Sequence, residues 1–401
     1  MRGGVFLSSN PNIAEPQPLW TKDFILITLA NFFIFLGFQM LLPVLPVYAT
    51  KLGGTDASAG LVVGVFTLSA VLMRPIAGRL LDQHGRKGVY LSGLVLFLLS
   101  VIAYHWVPTV LFLLILRFIH GFGWGAASTA SGTIASDIIP KSRLGEGMGF
   151  FGLTNSLSMA LAPALGLSIM KWSGFDTVFM ISTAAVIITI LLAFPIKYHT
   201  PDLGVSSQKS NMNSNMFEKA ALLPGVVILF VTMTYGSVVA FIALYADSRG
   251  VQNIGLFFTV YAIALMISRP AFGRLADRKG YSAAIIPGML GVLSTMLILY
   301  FSASLSAFLV AATIYGLGFG AVQPSLQAMA VRTVPPFRRG TANATFMVGF
   351  DLGIGIGSMI WGVVAQLTGY QAIYLWAMVP AGIAVLLYLG FGRQSNQSSV
   401  S

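Results

Sequence analysis

Apolar residues run along this chain in long blocks parted by short polar stretches. Residues 24–48, 89–104, 178–196 and 373–391 are nearly free of charge. A run of about 18 or more such residues reads as a helix crossing about 30 Å of hydrocarbon. Inside lipid only helices or closed barrels satisfy the backbone, and the two-residue alternation of a barrel strand is missing here. The pattern predicts an all-α integral membrane protein with twelve spans, at 24–48, 57–80, 88–107, 109–137, 144–171, 175–195, 219–246, 252–275, 282–302, 304–331, 340–367 and 371–391. The residues before Trp20 are polar and hold no apolar core, so no cleaved leader is visible and the first span is expected to direct insertion.

Composition agrees. Hydrophobic residues make up 56% of the chain and charged ones 9%, where a soluble globule carries about 25%. The net charge of +11 could suggest a nucleic-acid partner, but its distribution excludes one. Counting residues at span edges with the adjoining segment, seventeen Lys and Arg fall in alternate inter-span segments and the tails, three in the other segments, and three, Arg74, Arg117 and Arg269, deeper within spans. This bias predicts a multi-pass protein of the cell (plasma) membrane with both ends in the cytoplasm. There are no cysteines, hence neither disulfides nor thiolate metal sites.

The chain repeats itself. RPIAGRLLDQHGRKG, from Arg74, returns as RPAFGRLADRKG, from Arg269, an offset of 195. His120-Gly121-Phe122-Gly123-Trp124-Gly125 aligns with Tyr315-Gly316-Leu317-Gly318-Phe319-Gly320 at the same offset. So do Pro140, Arg143 and Gly145 with Pro335, Arg338 and Gly340, and Gly174 with Gly369; Gly53 matches Gly250 after a two-residue slip. The expected organisation is a tail at 1–23, a six-helix half at 24–196, a polar Ser/Asn-rich linker at 197–218, a second half at 219–391 and a tail at 392–401. Parallel halves facing each other across a midplane site are a transporter arrangement.

Several stretches carry a family resemblance. Gly78-x-Leu80-x-Asp82-x-x-Gly85-Arg86-Lys87 resembles the motif between helices 2 and 3 of the major facilitator superfamily, and Gly273-x-Leu275-x-Asp277-Arg278-Lys279-Gly280 is a weaker copy. Arg117-x-x-His120-Gly121-x-Gly123-x-Gly125 resembles its helix-4 motif, and Asp137-x-x-Pro140-x-x-Arg143 the following loop. Ala162-Pro163-x-x-Gly166 is similar to a degraded helix-5 motif of the drug:proton antiporter branch, with Ala162 and Ser158 at positions that usually hold Gly. The resemblance covers essentially the whole chain. It implies twelve helices in two pseudo-symmetric bundles, a cytoplasmic gate built from the two motif loops, and a proton-coupling role for Arg117.

The residues suggest roles of their own. Gly78 would let another helix approach closely. Asp82 could face a helix N-terminus of the other half or pair with Arg86. Asp137 is expected to pair with the arginines of its own side. Arg74 and Arg269, each before a proline, are expected to snorkel to the interface or to make a structural pair. Arg117 lies inside a span, where charge is costly and marks function; its repeat counterpart is Ala312. His120, one turn on, is a candidate proton relay or a packing aromatic. Asp351 is the only acidic residue near the middle of a span, about 16 Å along helix 11. It reads as a proton or substrate-cation site, or as a lock to helix 2 or 10. Glu146 could accept a second proton or suit a helix start.

Helices 1, 4, 7 and 10 should line the cavity in the resembled fold. Candidate polar linings are Asn31, Gln39, Asn155, Thr234, Tyr235, Tyr315, Gln323 and Gln327. A mostly apolar wall with few polar groups suits an amphipathic or cationic organic solute better than a sugar. No G-x-x-x-x-G-K-[ST] loop is present, so an ion gradient rather than ATP is the expected energy source. No nucleophile or metal set points to an enzyme, and no cofactor is expected. The Gly-x-Gly runs lie inside apolar helices and read as helix-packing sites. The expected function is proton-coupled efflux of small amphipathic compounds or drugs by a monomer; the alternatives are a proton-coupled importer or a dedicated exporter of a metabolite or metal-chelating compound.

Overall fold

The computed structural model describes residues 18–140, 143–198, 218–332, 334 and 339–392; inside the helices, the side chains of Asp82 and Asp277 are among those outside the description. Most of the expected linker, 199–217, and the tail segments 1–17 and 393–401 also lie outside the described residues. All regular structure among the described residues is helical.

The helices are α1 (Lys22–Lys51), α2 (Asp56–His84), α3 (Arg86–Ala103) and α4 (Val110–Ile138), then the fifty-residue Leu144–Ala193. At 1.5 Å per residue the last would run about 75 Å, more than twice the hydrocarbon thickness. It breaks at Gly174, with φ 82° and ψ 179°, and the parts before and after are α5 and α6. Then come α7 (Lys219–Ser248), α8 (Gly255–Lys279), α9 (Tyr281–Phe301), α10 (Leu305–Arg332), α11 (Arg339–Thr368) and α12 (Tyr370–Leu387). Eleven described helices are long and apolar enough to cross a membrane, and the broken one holds two crossings. Its neighbours prove the reversal. Along α5, Asn155 meets Asn31 and Gly166 packs on Met40, so α5 runs with α1. Along α6, Phe175 lies beside Tyr48, Ser182 beside Gly37 and Thr189 beside Ala30, so α6 runs against it.

Local chemistry sets the helix ends. The hydroxyls of Thr21, Thr55 and Thr109 accept from the amides of Phe24, Ser58 and Phe112 at 3.2, 3.4 and 3.3 Å, capping α1, α2 and α4. Among the described residues, the six glycines with positive φ form three repeat-related pairs: Gly53 and Gly250, Gly85 and Gly280, Gly174 and Gly369. Both halves turn through the same left-handed backbone, which costs a residue with Cβ energy.

Each half packs alike. In the first, α1 packs on α5 and α6, and α4 on α2 and α3; in the second, α7 packs on α11 and α12, and α10 on α8 and α9. The Gly-x-Gly runs serve this packing. A Cβ on Gly123 would stand 2.7 Å from the Phe97 amide, and one on its counterpart Gly318 2.6 Å from the Gly288 carbonyl. Large apolar side chains such as Leu72, Leu99, Leu191, Ile267 and Leu386 point outward, as a lipid-facing surface requires, and Trp20, Trp106 and Trp172 are exposed near helix ends.

The halves meet along α2–α11 and α5–α8, with α1 touching α7. We call the face where α1 starts and α12 ends the near face, and the other the far face. Near the far face the seams are tight. A Cβ on Gly362 of α11 would stand 2.8 Å from the Asp56 carbonyl of α2. The Tyr370 hydroxyl donates to Asp56 at 2.5 Å, and the Lys171 ammonium reaches Gln252 and Asn253 at 2.7 and 3.2 Å. Toward the near face, Cβ atoms on Gly78 and Gly273 would meet nothing.

Candidate functional site

Deeper in the same seams, two arginines cross from one half to the other. Arg74 of α2 pairs with Asp351 of α11 at 2.6 Å. Arg269 of α8 donates to the Ser156 hydroxyl of α5, and its other terminal nitrogen lies 3.3 Å from the Gln323 side-chain oxygen. The two contacts are one contact written twice, because the offset of 195 carries Arg74 onto Arg269 and Ser156 onto Asp351. In one seam the arginine meets a carboxylate; in the other it meets a hydroxyl. Each arginine stands ten residues before its helix ends, about 15 Å from the near face. Of the two readings expected for Arg74 and Arg269, structural pairing is the one seen and snorkelling is not: their partners lie across the seam, at hydrogen-bonding range, and not at the interface. Pro75 and Pro270 follow them and have no N–H to return to the carbonyls of Val71 and Met266. Arg74 and Asp351 are 25% and 18% exposed, so the pair is reachable by small species yet largely desolvated.

Polar side chains continue from both sites. In the second half Gln323 donates to Gln327 at 2.9 Å, and Gln327 to Asn343 of α11 at 2.8 Å. In the first half the Asn31 amide donates to Asn155 at 2.5 Å and Thr154 at 2.8 Å, and its oxygen accepts from Ser131. Asn155, Gln323 and Gln327 are partly exposed at the seam. Three other expected lining residues are not cavity walls in this conformation. Thr234, Tyr235 and Tyr315 are buried inside the second half, where the hydroxyls of Thr234 and Tyr315 lie 3.0 Å apart and Tyr235 stacks on Phe319. Asn31 and Gln39 are buried too. Ala162 is buried and Gly166 rests on the Met40 backbone, so the stretch around Pro163 joins α5 to α1.

Arg117 and His120 form a separate cluster within the first half. Arg117 is fully buried; its Nε donates to the Val62 carbonyl at 2.8 Å, and its guanidinium lies 4.0 Å from the Phe66 ring centre. His120 Nδ1 lies 2.8 Å from the Tyr104 hydroxyl and 3.3 Å from Arg117. Among the described residues no carboxylate pairs with Arg117, and neither residue contacts Asp351 or Glu146. Glu146 instead forms a two-pronged pair with Arg143, both bonds 2.8 Å.

At the near face, Arg86 donates to Asp137 at 2.9 Å and to the Leu81 carbonyl at 2.8 Å, joining α3 to α4 and α2 of its own half. Lys87 lies 4.8 Å from the Phe194 ring centre. The close helix contact expected at Gly78 is not made in this conformation, where that glycine and its copy Gly273 face open space. The side chains of Asp82 and Asp277 lie outside the described atoms. Arg278 is exposed at the end of α8, and Gly85 supplies the left-handed turn into α3. The contacts described for Arg86 thus join elements of its own half.

Sequence reading missed that Arg74 and Arg269 reach across, and that Ser156, the repeat counterpart of Asp351, is the partner of Arg269. The signal was present: laying Arg74 on Arg269 at the repeat offset lays Ser156 on Asp351, and a polar residue at both members of a repeated position inside the seam marks a shared contact.

The comparisons with known proteins agree with this geometry. The family model of the Major Facilitator Superfamily matches residues 27–253 and again 225–400. An uncharacterized MFS-type transporter of Methanocaldococcus jannaschii is 26% identical over 382 residues, 93% of this chain and 99% of its own length. A Multi-drug resistance efflux pump PmrA homolog of Lactococcus lactis is 25% identical over 88% of this chain and 90% of its own. Among solved structures, a bacterial homolog of the human lysosomal transporter Spinster, in an inward-facing and unoccupied conformation, superposes with a TM-score of 0.77 at 15% identity, over 95% of this chain and 99% of its own. With twelve crossings in two matched halves, and the family model matching along nearly the whole length, the chain belongs to the major facilitator superfamily of secondary transporters.

Proposed function

We propose that this protein exports small amphipathic organic solutes across the cell membrane in exchange for protons, by alternating access, with both chain ends in the cytoplasm. The positive-inside bias supports that orientation. On that orientation the near face is cytoplasmic and the carrier is inward-facing, with its outer seams closed. The likeness in fold to a transporter solved inward-facing is consistent with this, and the similarity to a multidrug efflux pump homolog supports export.

The observation that carries the coupling is the Arg74–Asp351 pair. It spans the halves, so its attraction acts on their relative position. A proton on Asp351 cancels the charge on one side and releases that attraction. The empty, deprotonated carrier is then held inward-facing, while loading with proton or solute lets it pass; such a lock prevents futile transit. The test uses inside-out vesicles with an acid interior and a panel including ethidium, fluorescein and salicylate. Asp351→Asn should insert and melt normally yet lose gradient-driven accumulation of any panel member that the wild type accumulates. Unchanged accumulation refutes the coupling assignment.

A further inference from the structure

Arg269 is a cation deep in the membrane with no acid to meet it among the described residues. Its hydrogen-bond partners are neutral oxygens, of Ser156 and Gln323, and its Nε has no hydrogen-bond partner. Gln323 is fixed in that role, because its amide nitrogen is committed to Gln327, whose own nitrogen is committed to Asn343. The row of amides thus turns the oxygen of Gln323 to the guanidinium. Two turns earlier on α8 the buried Tyr261 hydroxyl is without a partner. A charge at this depth is expensive unless an opposite charge joins it. The repeat shows what is absent: at the equivalent place Arg74 holds a carboxylate, and the position that supplies it, Asp351, is Ser156 on this side. The site lies between the halves and is partly exposed, which is where a transported solute must bind.

We propose that Arg269, oriented by Gln323 and Ser156, binds the anionic group of the transported solute, a single carboxylate on a small apolar body. This deepens the transport reading and rests on it. The solute supplies at the α5–α8 seam what Asp351 supplies at the α2–α11 seam. The expectation of a cationic solute is replaced, since Asp351, the acid described in the deep part of these seams, is already held by Arg74.

The test measures equilibrium binding to the full-length protein in lipid nanodiscs, at one pH and without a gradient. The probes are three acids with their neutral amides: benzoate and benzamide, salicylate and salicylamide, indole-3-acetate and its acetamide. At least one acid should bind about tenfold or more tighter than its amide, the worth of a charge-assisted hydrogen bond. Arg269→Gln should bring that ratio close to one. So should Ser156→Asp, which builds into the protein the carboxylate that the solute would bring and recreates the pair seen at Arg74. If Arg269→Gln does not melt as a folded protein, Ser156→Asp carries the test. The proposal is overturned if no acid outbinds its amide in the wild type, or if the preference survives in the folded variants. Asp351→Asn should keep the preference while losing gradient-driven accumulation, so the two proposals fail separately.

Discussion

Asp351→Asn should loosen the far face as well as uncouple transport, and the size of that effect follows from the pair's geometry. The contact is 2.6 Å between nitrogen and oxygen, which sets the charge centres about 4 Å apart; at an effective dielectric near 20 the attraction is about 4 kcal/mol. Side chains 25% and 18% exposed gain some water, which reduces this to roughly 2 kcal/mol. If the pair exists only with the far face sealed, its loss raises the far-open population about 30-fold. The chain has no native cysteine, so one introduced thiol reports without background. Met359 packs across the α2–α11 seam on Gly64, where a Cβ would stand 2.8 Å from its sulfur. In Met359→Cys, slow labelling by an impermeant maleimide from the far face should accelerate about 30-fold when Asp351→Asn is added. The swap Arg74→Asp with Asp351→Arg should restore the slow rate. A change below about threefold in a protein that still melts cooperatively would refute the claim that this pair holds the halves.

Gly362→Val should open the same seam by crowding, since its Cβ falls 2.8 Å from the Asp56 carbonyl and 3.0 Å from the Ala57 Cα; a cost of about 1–3 kcal/mol would again appear as faster labelling of Met359→Cys. Gly174→Ala and Gly369→Ala, at φ 82° and 85°, should each lower stability by roughly 1–2 kcal/mol, read as earlier melting, and by similar amounts in the two halves. Arg117→Met removes a fully buried charge that has no acid partner among the described residues, so melting should hold or improve; the same variant should lose gradient-driven accumulation, and full retention would reduce Arg117 to a packing residue.

The fold was legible because its signals are strong and local: apolar length gave the crossings, basic segments suggested their direction, and the 195-residue echo gave two halves. The twelfth crossing was legible even though α5 and α6 join without a gap in helix, because Gly174 has the same place before Phe175 as Gly369 before Tyr370. The site was legible only in part. Asp351 stood out as an acid in an apolar span, and helix 2 was one of its two expected locking partners, but the residue was not, because sequence shows how deep Arg74 lies and not which neighbour crosses the seam. Thr234, Tyr235 and Tyr315 sit on helices of the right number, yet the turn of each helix points them into their own half, a rotation the apolar pattern of a nearly all-apolar helix does not fix. The open space around Gly78 belongs to one conformation, and a sequence serves every conformation of the cycle.

Gly174 has a further consequence, one of parity. Each crossing flips which side of the membrane the chain will enter next, so a single reversal decides the orientation of all that follows. If α5 and α6 made one passage instead of two, the second half would arrive upside down and the repeats would be inverted rather than parallel. Arg74 and Arg269 would then sit at mirrored depths, opening to different compartments, and Ser156 and Asp351 would no longer be equivalent places in one seam geometry. A carrier built on matching sites thus depends on a residue without a side chain, far from either site, whose backbone hand keeps the two copies reading in the same direction.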